Sequence, residues 1–130
     1  MHQILAEMID IFKPGDTDWM GDKVSRKNRF TYHHICERKN GGDKTVDNGA
    51  ILTKNSHALL NYFEQHAPKY YYALNRCFEV LNQTKLPPTD SYYEVVTVLI
   101  SNGIEEIEIA EEQKIISVSN KPQYVRKRKK

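Results

Sequence analysis

At 130 residues and 39% apolar content, the chain is long enough for one compact domain with a modest core and a tail. Its formal charge of +2 is uneven: residues 1–22 carry a net −4, 23–54 a net +5, 55–120 a net −5 and 121–130 a net +6. There is no apolar run of membrane-spanning length and no signal peptide. Two cysteines, Cys36 and Cys77, form neither a CxxC pair nor a disulfide framework, so a cytoplasmic, reducing setting is expected.

In chain order, Ile4, Leu5, Met8, Ile9 and Phe12 recur at helical spacing over residues 3–12, and Pro14-Gly15 stops that helix. Residues 16–28 read as a polar connection in which Trp19 and Met20 anchor onto the core. Residues 30–35, aromatic and β-branched, suit a strand, with Lys23, Arg26, Lys27 and Arg29 before it. Asn40-Gly41-Gly42-Asp43 is a turn, Arg38, Lys39 and Lys44 lie in the hairpin loop, and residues 49–53 return as a second strand with Asn48 at its mouth. From Lys54 the pattern becomes helical, with Asn55 or Ser56 as N-cap. His57 and Asn61, four apart, then share a face at about 5 to 6 Å. Together, hairpin and helix bring two imidazoles and two amides, those of His33, His57, Asn48 and Asn61, to one place beside His34. Cys36, just past His34, reads as a small buried residue at a strand end.

Ala67-Pro68 breaks this helix, and Pro68 suits the first turn of another that runs to about residue 82. Tyr70, Tyr71 and Tyr72 invite a base-stacking role, but their spacing with Leu74, Phe78 and Leu81 favours packing for most of them. His66 is out of register with His57 and reads as a surface residue. Leu86-Pro87-Pro88 is a rigid connector. Thr89 or Asp90 caps a third bracing helix to about residue 100, ended or bent by Asn102-Gly103. A further acidic helical stretch then leads into a short strand over residues 114–118. Residues 121–130 read as a basic arm that orders on nucleic acid.

Over residues 17–65 the chain resembles the HNH nucleases, in particular the short HNH proteins of Firmicutes and their phages. The likeness rests on Trp19-Met20-Gly21, Thr31-Tyr32-His33-His34-Ile35, Gly41-Gly42, Asn48-Gly49-Ala50-Ile51-Leu52-Thr53 and Ser56-His57. It implies an α+β fold with a ββα-metal (His-Me finger) core braced by several helices. The segments are a brace helix and connector over 1–28, the core over 29–66, a helical brace over 67–120 and a basic tail over 121–130. It further implies that His33 and His57 bind metal, that His34 is the general base and that Asn48 orients it. Asn61 would be the third ligand, at a position where the relatives usually carry His.

Such a set suits phosphodiester hydrolysis, which needs a base with a pKa near neutrality and a cation on the phosphate. One divalent ion is expected, with Mg, Mn, Zn and Ni all compatible with two nitrogens and a neutral oxygen. Lys23, Arg26, Lys27, Arg29, Arg38, Lys39, Lys44 and, in the tail, Arg126, Lys127, Arg128, Lys129 and Lys130 are the expected phosphate-binding cations. DNA is the expected substrate, with RNA left open, no membrane partner, and homodimerisation compatible with double-strand cleavage. The competing reading is a catalytically degenerate HNH scaffold that works by binding, as a phage or mobile-element inhibitor of a host nuclease or CRISPR-type defence system or as a nucleic-acid-binding accessory.

Overall fold

In the computed structural model, which describes residues 2–119, the two apolar runs pair as an antiparallel hairpin. Strand β1 (Phe30–His34) lies against β2 (Gly49–Thr53) in the register Phe30 to Thr53 through His34 to Gly49. The helices are α1 (Gln3–Phe12), α2 (Lys54–His66), α3 (Pro68–Thr84) and α4 (Asp90–Ser119), which makes the fold a mixed α+β one. No helix among the described residues is long and apolar enough to cross a membrane.

Every residue of β2 is buried because α1 covers one face of the hairpin and α2 and α3 the other, so it reads as an unbroken apolar run rather than an alternation. Trp19 sits at the centre, edge-on to Phe12 at 4.9 Å, and its amide donates to Ile51 O, so the connector is stitched to β2. Met20 is buried beside it, and both expected anchors are in the core.

What fixes the strand-to-helix corner is polar. Asp18 is fully buried and its carboxylate accepts from the amides of Met20, Asp22 and Thr53 at 2.7 to 2.9 Å. Asp22 accepts from Thr53 Oγ1 and Asn28 Nδ2, while Asn28 Oδ1 accepts from Asn55 N. The cap of α2 is therefore Thr53, whose hydroxyl accepts from Ser56 N at 3.1 Å, and neither Asn55 nor Ser56. The last strand residue doubles as the first helical cap, with no linker between. Asn82 of α3 secures the other end of β2 by donating to Val46 O and Gly49 O at 2.7 and 2.8 Å.

The C-terminal third departs from expectation. Thr89 caps α4 through Tyr92 N, but the helix runs unbroken through Gly103 and through residues 114–118, where a strand was expected. Gly103 is not a stop: a Cβ there would meet the Phe63 ring at 2.9 Å and the Tyr70 ring at 3.2 Å, so its lack of side chain lets α4 seat against these two rings. The Lys114-Ile115-Ile116 run finds no strand partner among the described residues and extends the preceding helix. Val96 and Ile107 are the buried apolar side chains of α4, with Tyr92, Leu99 and Ile100 packed beside them, and beyond Ile107 every described side chain through Ile116 is exposed.

Candidate metal and catalytic centre

Alternation along β1 sends neighbouring side chains to opposite faces, and this separates the histidine pair. His33 points towards α2 and α3 and is 5% exposed. Its Nε2 lies 2.7 Å from Asn75 Oδ1, while Asn75 Nδ2 donates to Tyr71 O. With the amide oxygen facing the ring, Nε2 must hold the proton and Nδ1 keeps the lone pair. Burial pushes the His33 pKa down to about 4, against the opposing pull of the Asn75 hydrogen bond, so the ring is neutral at physiological pH.

His57, on the first turn of α2, is fixed in the complementary sense. Thr31 Oγ1 gives its only proton to Leu52 O at 2.7 Å, so at 3.0 Å from the imidazole it can only accept. His57 therefore donates from Nδ1 and keeps its lone pair on Nε2. Burial, and then the nearby His34, lower its pKa as well. The rings of His33 and His57 stand perpendicular with centroids 5.2 Å apart. Each has one nitrogen spoken for by a structural partner and one available.

His34 is placed differently. Its ring is only half-buried, edge-on to Tyr32 at 4.9 Å, and its Nε2 is shut in with no hydrogen-bond partner among the described residues. Nδ1 is the nitrogen that solvent reaches. Burial first, then the charges of Arg38 and Lys44, hold its pKa below the usual histidine value.

Asn48 does not hold this ring by accepting from it. Its Oδ1 accepts from Cys36 N at 2.8 Å and its Nδ2 donates to Cys36 O and Asp43 O at 2.9 Å, which spends the amide on the hairpin loop. Any orienting of His34 by Asn48 acts through the backbone two residues on. Gly42 makes the clamp feasible, because a Cβ there would lie 1.8 Å from Cys36 O and 2.9 Å from Asn48 Nδ2. Cys36 is exposed rather than buried, its thiol facing the carbonyls of Glu37 and Asn40, because the chain has already turned out of the strand.

His33, His34, His57 and exposed Asn61 line one open pocket of about 340 Å³, together with Glu37, Arg38, Lys39, Glu64 and Tyr71. Glu37 accepts from Tyr71 Oη at 3.1 Å and pairs with Lys39 at 3.2 Å. Burial acts to raise its pKa, but these hydrogen bonds outweigh it and the carboxyl is held below its usual value. Among the described residues no three His, Cys, Asp or Glu side chains gather as a ligand set.

Sequence reasoning missed Asn75, Thr31, Glu37, Glu64 and Tyr71. An asparagine between Leu74 and Phe78 on a mostly apolar helix face was the one available signal for Asn75. Of the expected cations, Arg38 and Lys39 are at the pocket, Arg29 and Lys44 lie on the far face of β1, and Lys23 is paired with Asp16 at 3.3 Å. Arg26 and Lys27 are exposed in the connector. Arg126, Lys127, Arg128, Lys129 and Lys130 lie outside the described residues. Comparison with family models, curated proteins and solved structures finds no match to this chain.

Proposed function

We propose that the chain is a metal-dependent endonuclease of the HNH type that hydrolyses phosphodiester bonds in DNA, with β1, β2 and α2 as its ββα-metal core. The observation that carries this reading is the pair of fixed tautomers: Asn75 and Thr31 occupy one nitrogen each of His33 and His57 and leave Nδ1 and Nε2 as lone-pair donors, beside a half-exposed third imidazole. Metal-binding histidines are characteristically oriented by such a partner on the other ring nitrogen. Burial lowers the pKa of both rings and so favours the neutral form that a ligand needs.

His33, His57 and the Asn61 amide oxygen would hold one divalent cation, which when bound supplies Lewis-acid stabilisation of charge developing on the phosphate. The protein's own part is proton handling and positioning. His34 Nδ1 accepts a proton from water as the water oxygen bonds to phosphorus; the ester P–O bond breaks, and the departing oxygen takes a proton from solvent. Arg38 stands beside this reaction and can pair with a non-bridging phosphate oxygen.

The competing reading, a scaffold that binds without turnover, draws support from Asn61: a neutral amide at the third position is a weaker ligand than imidazole. Incubation of supercoiled plasmid with Mg, Mn, Zn and Ni in turn separates the two. Nicked or linear product with any of these ions, lost on chelation, supports the nuclease. Intact plasmid throughout, with metal binding retained in calorimetry, supports the binding scaffold.

A further inference from the structure

The face of β1 opposite His33 carries a groove of about 510 Å³ that shares only His34 with the reacting residues above. Phe30, Tyr32 and His34, alternate residues of the strand, line it together with Leu5, Val24 and His2. Their rings form a series, His2 to Tyr32 at 5.8 Å and Tyr32 to His34 at 4.9 Å, and the Lys44 ammonium lies 5.9 Å from the Tyr32 centroid. Arg29 and Lys44 are exposed lining residues, and neither forms an ion pair among the described residues. No carboxylate lines the groove. Flat apolar rings, uncompensated cations and no acid complement a ligand that is flat at one end and anionic at the other.

We infer that this groove is a nucleotide subsite that takes one unpaired base of a single-stranded nucleic acid. The base lies against half-buried Phe30 over a floor to which the buried Tyr32 contributes, its flanking phosphates meet Arg29 and Lys44, and the strand continues past His34 into the catalytic pocket. A paired base hides its flat faces in the stack and cannot enter such a recess, whereas an unpaired one offers them. The volume falls in the range of ordinary small-ligand clefts. The inference rests on the nuclease reading, and it sharpens the substrate from DNA in general to single-stranded or frayed ends.

Two assays keep the inferences apart. The first measures binding of a labelled oligothymidine, and of the same strand paired with oligoadenine, by fluorescence anisotropy in EDTA so that no turnover intervenes. The single strand should bind about ten-fold more tightly, and Val24→Trp, which fills the groove, should remove about that factor while leaving duplex binding in place. Lys44→Glu, at an exposed position, should weaken single-strand binding likewise and decides the matter if circular dichroism shows that Val24→Trp misfolds. Equal affinity for the two forms, or single-strand binding untouched by the decisive variant, would overturn the subsite. The second follows hydrolysis of bis(4-nitrophenyl) phosphate by the unmodified protein with a divalent cation. Single-strand preference without ester hydrolysis sinks the nuclease reading and supports the groove; hydrolysis without the preference does the reverse.

Discussion

His33 and His34 are adjacent in the chain and opposite in circumstance. His33 is buried, hydrogen-bonded to Asn75, packed against the rings of His57 and Phe78 and held neutral by its surroundings. His34 is half-exposed, lacks a hydrogen-bond partner among the described residues and stands where the pocket and the groove meet. A strand's two-residue period is enough to create this difference, and in the proposed mechanism it gives the rigid role to one imidazole and the reactive role to the other. Geometry, not residue type, divides the labour.

The largest expected effect tests the reactive side. His34→Ala should lower plasmid cleavage by about a hundred-fold or more, the usual contribution of a general base. Its unfolding midpoint in urea and its DNA affinity should change little. Cleavage within a few-fold of the unmodified protein would remove His34 from the mechanism.

The next tests the buried side through stability. With a pKa near 4 in the fold and an ordinary value near 6.5 when unfolded, His33 binds its proton more readily in the unfolded chain. Its contribution is thus complete above about pH 6.5 and is lost as pH falls towards 4, amounting to about 3 kcal/mol. Urea titrations at pH 7 and pH 4.5 should show most of that loss, and in His33→Gln the pH dependence should flatten. Equal pH dependence in both proteins would mean that His33 is not the neutral, buried group described here.

Smaller effects concern the proposed pair of ligands, His33 and His57. Asn75→Leu removes the acceptor that fixes the His33 tautomer and should weaken divalent-ion binding in calorimetry by about ten-fold, a typical loss for such an orienting partner. Asn61→His should strengthen binding by supplying a nitrogen. An Asn75 variant with unchanged affinity would show that the tautomer does not matter to the ion.

The smallest is a shift in the rate profile. His34 must be neutral to accept a proton, and its lowered pKa places the rising limb of the pH–rate curve below the usual histidine value. Lys44→Ala and Arg38→Ala remove neighbouring positive charge and should move that limb towards higher pH. Burial is the larger cause and is untouched, so the shift should be partial. A limb that moves down or stays fixed would show that another group controls the profile.

The hairpin, the first helix and the Ala67-Pro68 break were legible because hydrophobic period and turn chemistry are local. The collected His33, His57 and Asn61 were legible because a strand and a four-residue helical spacing place them. The partners that give those residues their chemistry were not. Asn75 lies 42 residues from His33, and Thr31 is an ordinary strand threonine until Leu52 takes its proton. Asp18 read as one more polar connector residue, though it is buried and ties three amides together. The strand expected over residues 114–118 failed for a related reason: β-propensity expresses itself through pairing and packing, and among the described residues no strand is there to pair with.

The absence of any linker between β2 and α2 has a bearing on how this chain can vary. Thr53 ends the strand and begins the helix, so one residue added between Thr53 and His57 would swing the imidazole about 100° around the helix axis, away from His33. Substitutions in that stretch are graded in their effect, whereas a change of length is all or nothing. Insertions and deletions should be tolerated instead between Lys85 and Thr89, where the chain is exposed or half-buried and carries no part of the site.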